Sequence, residues 1–243
     1  MPFGPDTDAW LEEVAEGNAN YPPNTASWKE LMEKKPEIRV AQCVRKDGAQ
    51  RAALYSLLRS LEGVRDKFST RREQYLSVAT VYAEKYQLAT SLLLAIMHTE
   101  SGFNPNAVSP KKAIGLMQVV PHSAGNEVYR FLKGEQGTPS MDALFNPENN
   151  IRYGATYLHL LDRYHFAGVT NSASRQLCVI AGYNGGPNAV LRHFHPNRQK
   201  ALEKINGMTT EQLYKALTKR FPYAETRRYV ESVKARMVNY ATF

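Results

Sequence analysis

The stretch Thr90-Ser91-Leu92-Leu93-Leu94-Ala95-Ile96-Met97-His98-Thr99-Glu100-Ser101 is an apolar helix signal that ends in a carboxylate. Its six consecutive apolar residues, Leu92 to Met97, cover every side of a helical turn. This pattern predicts a helix that is buried all round rather than lying on a surface. Thr90 can cap its start, and Gly102 ends it soon after the glutamate. Glu100 is therefore expected to be carried inward.

The expected position of Glu100 favours the protonated form of its side chain. A carboxylate at this end of a helix meets the negative end of the helix dipole, and apolar surroundings leave it poorly hydrated. Both effects raise the pKa, so a glutamic acid can hold its proton near neutral pH and give it to a leaving group. The alternative is a helix-end glutamate that pairs with a nearby arginine.

Composition places the chain among ordinary globular proteins. It has 243 residues, of which 43% are hydrophobic and 22% charged, enough to bury a sizeable core. No apolar run approaches the roughly 18 residues that cross a bilayer. No signal peptide begins the sequence, so we expect either a cytosolic protein or a mature chain whose targeting segment was removed.

The net charge of +8 predicts an anionic partner. A nucleic acid, a membrane surface and an acidic wall polymer would all fit this charge. Lysines and arginines are spread in short groups, without the aromatic-basic pattern of an RNA-binding sheet or the spacing of a zinc finger. We therefore do not expect nucleic-acid binding.

Cysteine and histidine usage gives no sign of a metal or a cofactor. Cys43 and Cys178 belong to no CxxC motif, and Cys178 lies in an apolar stretch that favours a small buried thiol. A bridge between the two cysteines stays open. The six histidines include His193-Phe194-His195 but form no HExxH motif, so we expect no metal.

Helical periodicity dominates the rest of the chain and predicts a mainly α protein in two parts. Residues 1–69 read as a partly helical amino-terminal extension, with helices near 8–16, 27–35 and 50–65, and residues 70–243 as the main domain. Only 115–120 and 38–44 are strand candidates. Further helix signals in the main domain are the periodic run from Tyr75 to Gln87, Pro121, the Asn146-Pro147-Glu148 start, the helix broken at Asn184, Pro187, the Thr209/Gln212 capping box and Phe221-Pro222.

Four segments place polar groups at the ends of apolar helices. They are Glu100-Ser101-Gly102-Phe103, Gly115-Leu116-Met117-Gln118, Gly182-Tyr183-Asn184-Gly185 and Glu225-Thr226-Arg227-Arg228-Tyr229. Together and in this order they resemble the lytic transglycosylases of the soluble-transglycosylase (SLT) type, from about Thr70 to Asn239. The sequence from Gly115 to His122 is most similar to that of the membrane-bound type C branch. The resemblance implies a lysozyme-like α-helical fold.

The resemblance also implies an activity, which is cleavage of the β-1,4 bond between N-acetylmuramic acid and N-acetylglucosamine in peptidoglycan, with 1,6-anhydromuramic acid ends. Most glycosidases need two carboxylates at the scissile bond, yet the four motifs offer one clearly buried candidate, Glu100. A single acid answers this difficulty: Glu100 protonates the glycosidic oxygen and then accepts the proton of the muramic C6 hydroxyl, while the substrate's N-acetyl group stabilises the cationic centre.

The same resemblance assigns substrate-binding residues around Glu100, each with a structural alternative. Ser101 would orient the acid or simply end its helix, and Met117 would line the cleft or lie in the core. Asn184 is also a natural turn residue. Glu225 would bind substrate or pair with Arg228 or Arg192. The substrate-binding set is Ser101, Met117, Gln118, Tyr183, Asn184, Glu225 and Tyr229.

One departure from the family lies beside the site. Gly182 stands where the family commonly has alanine, which predicts more room beside Tyr183 and a looser tyrosine. Two rival functions also remain: a goose-type muramidase that admits water, and a non-catalytic glycan-binding or secretion-apparatus module.

The expected setting is the periplasm or cell envelope, with outer-membrane association of a full-length protein. Expected partners are peptidoglycan strands and cell-envelope or secretion components, and the protein is expected to be a monomer without cofactors.

Overall fold

The structure, a computed structural model, describes residues 70–241, and every regular element among them is helical. The mainly α prediction is confirmed. No helix in this part of the chain is long and apolar enough to span a membrane. The helices are α1 (70–86), α2 (Thr90–Ser101), α3 (Asn126–Lys133), α4 (Met141–Phe145), α5 (Pro147–Leu160), α6 (Ser172–Gly185), α7 (Pro187–Phe194), α8 (Arg198–Asn206), α9 (Thr210–Lys215) and α10 (Ala224–Asn239), with π-helical turns at Pro121–Gly125, Leu161–His165 and Ala216–Arg220.

Helix α2 lies in the middle of the hydrophobic core, as the apolar run predicts. All six residues from Leu92 to Met97 are at most 2% exposed, and α10 packs along the helix. Gly102 ends α2 in the left-handed conformation, with φ of 57°, and its N–H donates to the carbonyl of His98. The predicted cap was wrong, because Ala89 occupies the cap position without a side-chain hydrogen bond and Thr90 is already helical.

The other predicted helix starts hold well. Asn146 caps α5 by accepting a hydrogen bond from the N–H of Asn149, and Thr209 and Gln212 form the reciprocal capping box of α9. Helix α10 begins at Ala224, two residues beyond the predicted Phe221-Pro222 opening. Its buried stripe then brings α10 against α2 and α6.

The strand predicted over 115–120 is instead part of a compact loop. Ile114 forms isolated antiparallel bridges with Val108 and Val119, and no longer ladder follows. Positive φ angles at Gly115 (76°) and Gln118 (48°) turn the chain back on itself and prevent an extended run. The other strand candidate, the three amino-terminal helices and Cys43 lie outside the described residues, and the division at 69/70 stays a prediction.

Candidate active site

Glu100 lies at the last turn of α2, where the core ends and solvent begins. Its carboxyl group is largely enclosed while part of the residue stays accessible. Burial raises the pKa of Glu100 to about 7, an interaction with Tyr229 lowers it in part, and the negative charge of Glu225 raises it further. No ion pair among residues 70–241 involves Glu100, so the arginine-paired alternative is not what the structure shows.

Two tyrosines border this carboxyl group, one from α6 and one from α10. Burial and the charge of Glu100 raise the pKa of both Tyr183 and Tyr229 well above the usual value, so both hydroxyls keep their protons. The hydroxyl of Tyr183 donates to the carbonyl of Met117 at 2.7 Å. The hydroxyl of Tyr229 is buried, and its interaction with Glu100 lowers the pKa of that carboxyl group.

The loop 115–119 forms a further wall of the site and is fastened to its neighbours by hydrogen bonds. Gln118 Nε2 donates to the carbonyls of Ala107 (3.1 Å) and Gly115 (3.0 Å). Ser101 Oγ donates to the carbonyl of Leu116 at 2.8 Å and lies 3.1 Å from that of Met97. Ser101 therefore ties the end of α2 to this loop instead of standing free beside the acid.

The structure corrects the substrate-binding assignment of the Met117 side chain. Met117 is fully buried and its side chain packs directly against Gly154 of α5, so it belongs to the core and not to the cleft wall. Its backbone takes part in the site, because its carbonyl accepts the hydrogen bond from Tyr183. The sequence position of Met117 in a loop did not predict that its side chain is buried. The reason is that the loop turns back on itself and directs this side chain into the core.

Asn150 of α5 forms hydrogen bonds with this loop. Its role was not predicted from the sequence. It is fully buried, and its Oδ1 accepts from the N–H of Met117 at 2.8 Å. Its Nδ2 donates to the carbonyls of Ile114 and Leu144, each at 2.8 Å. The signal was available: Asn150 precedes Gly154, Tyr157, Leu158 and Leu161 at helical spacing, so it is a polar residue on an apolar face.

Glu225 lies at the start of α10 on the solvent side of the site. Its side chain is 66% exposed and forms an ion pair with Lys111 at 3.4 Å. Asn184 Nδ2 lies 3.5 Å from Glu225, and Asn184 Oδ1 accepts from the buried Thr226 at 2.7 Å. Of the two alternatives for Glu225, pairing with Arg228 or Arg192 is not what the structure shows, because the partner is a lysine from the loop that follows α2.

Gly182 does not leave the room that its sequence context predicts. A Cβ at this position would lie 2.7 Å from the ring of Phe166 and 3.5 Å from Leu161. The buried Phe166 therefore occupies the space that an alanine methyl group would need. Tyr183 is supported separately, by the ring of Tyr157 at 5.5 Å.

Cysteine and histidine positions add no further chemistry to this site. Cys178 is a free, buried thiol, and burial raises its pKa to about 12. Within the part of the chain that the structure describes, no group of three or more histidine, cysteine or acidic side chains is arranged to hold a metal ion.

The fold and the site together describe a helical domain that brings one largely enclosed glutamic acid beside two buried tyrosines. The model of the transglycosylase SLT domain matches residues 77–206, more than half of the chain, and the chain belongs to this family. Among its relatives, the membrane-bound lytic murein transglycosylase C of Yersinia pestis (strain Pestoides F) is 43% identical over 184 residues. That match covers 76% of this chain and 51% of the relative, so the chain spans about half the length of the curated relatives it matches.

Solved structures support the same fold. The 70 kDa soluble lytic transglycosylase of Escherichia coli aligns with a TM-score of 0.54 and 27% identity, covering 70% of this chain and 24% of that one. An inactive mutant of the lytic transglycosylase Slt of Pseudomonas aeruginosa aligns with a TM-score of 0.50 and 28% identity, covering 68% and 24%. The lysozyme-like SLT fold implied by the four motifs is thus confirmed.

Proposed function

We propose that this chain carries the catalytic domain of a peptidoglycan lytic transglycosylase. It cleaves the β-1,4 bond between N-acetylmuramic acid and N-acetylglucosamine and leaves 1,6-anhydromuramic acid ends. The observation that carries the proposal is the largely enclosed carboxyl group of Glu100, with a pKa of about 7. The nearest acidic side chain that affects it, Glu225, is exposed and paired with a lysine, so it is a poor second catalytic carboxylate.

A pKa near 7 lets one group act first as an acid and then as a base. Glu100 gives its proton to the glycosidic oxygen as the bond to C1 of muramic acid breaks. The substrate's N-acetyl group stabilises the positive charge that develops at C1. The Glu100 carboxylate then takes the proton of the C6 hydroxyl, whose oxygen bonds to C1. Glu100 regains its proton, and no water is consumed.

The surrounding residues orient the sugar in this proposal. Gln118 has its amide nitrogen occupied by backbone carbonyls, which leaves the side-chain oxygen to accept from a sugar hydroxyl or amide. Tyr229 has a buried hydroxyl without a full partner, directed at the reacting carboxyl. Asn184 and Glu225 lie at the cleft mouth as further polar contacts, and Ser101 acts by holding the loop.

The names of the relatives support a setting in the cell envelope. The Yersinia relative is described as membrane-bound and as acting on murein. We accordingly place this domain at the peptidoglycan layer, in the periplasm, as a monomer that needs no cofactor. Outer-membrane association of a longer protein and contacts with secretion components belong to the same proposal.

Product analysis on intact sacculi tests the reaction. Wild-type protein should release muropeptides with anhydro ends in the mass spectrum, and Glu100→Gln should release none while still binding glycan. The inactive mutant of the Pseudomonas relative is itself a glutamate-to-glutamine replacement. Reducing ends in place of anhydro ends would show a muramidase. Unchanged release by Glu100→Gln would refute the role of Glu100, and absence of release by the wild type would favour a binding module.

A further inference from the structure

Lys111 lies in a short turn that several hydrogen bonds stabilise. The N–H of Ser109 donates to the carbonyl of Ala113 at 3.0 Å, and the N–H of Ala113 donates back to Ser109 Oγ at 3.0 Å. The N–H of Lys112 donates to the carbonyl of Ser109 at 2.9 Å. These hydrogen bonds join the two ends of the turn, and Lys111 lies between them.

The ammonium group of Lys111 forms an ion pair with Glu225. The two groups come from the loop after α2 and from the first turn of α10, and their charged atoms are 3.4 Å apart. Glu225 also lies beside Asn184 and close enough to Glu100 to raise the pKa of that carboxyl group. Through Glu225, Lys111 is therefore linked to the surroundings of Glu100.

This ion pair is poorly suited to a purely structural role. The side chains of Lys111 and Glu225 are 82% and 66% exposed, and pairs this exposed contribute little to stability. Both groups stay hydrated, so Lys111 can exchange one carboxylate for another without leaving a buried charge behind. A lysine ammonium is also a flexible point charge, which suits a ligand whose carboxylate is not fixed in one orientation.

We propose that Lys111 binds a carboxylate carried on the lactyl substituent of muramic acid, with Glu225 as its counter-ion when no substrate is bound. This inference rests on the proposed function, since it names a feature of that substrate. N-acetylglucosamine lacks the lactyl substituent, so the contact distinguishes the two alternating sugars. The carboxylate comes either from the free lactyl group of glycan without peptides or from the stem peptide attached to it.

Binding measurements in the full chain carrying Glu100→Gln separate these sources without turnover. The probes are chitotetraose, which is uncharged, a tetrasaccharide of alternating N-acetylglucosamine and N-acetylmuramic acid with free lactyl groups, and the same tetrasaccharide with stem peptides. Lys111→Met should weaken binding of a carboxylate-bearing probe by about three- to ten-fold relative to chitotetraose. Lys111→Arg should restore most of this difference, and added salt should reduce it.

The matched control is Lys133→Met, which removes an exposed lysine at the end of α3 and should leave all three affinities unchanged. A loss confined to the peptide-bearing probe assigns the stem peptide, and a loss with the free lactyl probe assigns the lactyl carboxylate. Equal affinities of Lys111→Met and its parent for every probe, or an equal loss that includes chitotetraose, would overturn the proposal. None of these binding affinities depends on cleavage. Failure of the proposed reaction would therefore appear separately, in the product analysis.

Discussion

The Glu100 carboxyl group loses hydration at the end of α2, and its pKa of about 7 follows chiefly from this burial. Two neighbours act on it in opposite directions: Tyr229 stabilises the charged form, and Glu225 destabilises it. Because the charged and neutral forms are then nearly equal in free energy at neutral pH, one residue can give and retake a proton.

The pH dependence of cleavage should follow from this pKa. Below about pH 7 most Glu100 is protonated and ready to act as the acid, and above it the free enzyme loses that form. We expect kcat/KM for soluble glycan to fall about ten-fold per pH unit on the alkaline side. Initial rates between pH 5 and 9 would measure this. A rate that stays level to pH 9 would mean that Glu100 is not the acid.

Stability should change with pH for the same reason. The pKa of Glu100 is higher in the folded chain than in the unfolded one, so the folded state holds its proton between about pH 4.5 and 7 and loses stability as pH rises through that window. Glu100→Gln lacks this loss, so it should be more stable than wild type at pH 8, by at most about 3 kcal/mol.

Urea unfolding at pH 4 and pH 8 measures the change in the free energy of unfolding. The difference between Glu100→Gln and wild type should nearly vanish at pH 4. Glu135→Gln is the matched control, because Glu135 is exposed and its replacement should have little effect at either pH. A Glu100→Gln variant that is less stable than wild type at pH 8 would contradict the burial argument.

Individual residues were predictable from sequence to the extent that their neighbours in the chain determine them. The position of Glu100 follows from the apolar run before it. The burial of Met117 depends on Gly154, and the pairing of Glu225 depends on Lys111, which is 114 positions away. No local pattern contains such information. The family motif left open whether the side chain of Met117 lines the site or lies in the core, and the structure shows that it lies in the core.

At the scale of elements, α5 supports the loop 115–119. The side chain of Asn150 accepts from the N–H of Met117 and donates to the carbonyls of Ile114 and Leu144, so it ties the loop to the end of α4. Gly115 fits only as glycine, because its φ is 76° and a Cβ there would collide with Asn150 and with the carbonyl of Leu144. The shape of the loop is therefore determined by an element that follows it in the chain.

Replacement of Asn150 should damage both stability and catalysis. Asn150→Ala removes the partner of the N–H of Met117 and the Asn150 hydrogen bond to the carbonyl of Leu144, while the carbonyl of Ile114 keeps the N–H of Val119. Loss of these buried hydrogen bonds should lower the free energy of unfolding by about 3 kcal/mol. The loop that carries Gln118 would loosen, so kcat should fall more than the population of folded protein. Asn149→Ala, a change of the same kind at the neighbouring position of α5, is the control for thermal unfolding and cleavage rate. Near-equal effects of the two variants would contradict this role.

Helix α6 offers a test of packing at Gly182. Alanine there gains about 1 kcal/mol of helix propensity but forces the ring of Phe166 to move, and overpacking of this kind typically costs about 1–3 kcal/mol. We therefore expect Gly182→Ala to destabilise the domain. In a Phe166→Leu background the ring is gone, and the same alanine should stabilise. Urea midpoints of the four proteins measure the coupling, and a stabilising Gly182→Ala in the wild-type background would show that the space is open.

Helix positions were predicted well because caps, prolines and glycines are local signals. The start of α5 and the capping box of α9 need only three or four neighbouring residues. The predicted strand at 115–120 failed because its apolar residues are buried by folding back on the loop and not by pairing with a neighbouring strand. Apolar periodicity does not distinguish these two kinds of burial.

At the scale of the whole molecule, the site draws on residues far apart in the chain. Glu100, the loop around Gln118, Tyr183 and Tyr229 come from α2, a loop, α6 and α10. Their hydrophobic core extends from Tyr75 to Tyr240. The described residues that set the pKa of Glu100 therefore belong to the unit that begins at residue 68.

This distribution predicts that residues 70–243 fold and cleave without the first 69. The core and all proposed catalytic and binding residues lie inside this segment, so its cooperative unfolding should survive truncation. We expect the truncated protein to release anhydro-ended muropeptides with kcat/KM within about ten-fold of the longer chain.

A matched truncation that also removes α1 is the control. It should unfold at a much lower Tm, because α1 buries Tyr75, Ala79 and Ala83 in the core. Loss of cooperative unfolding in the 70–243 protein would show that the amino-terminal part belongs to the same folding unit.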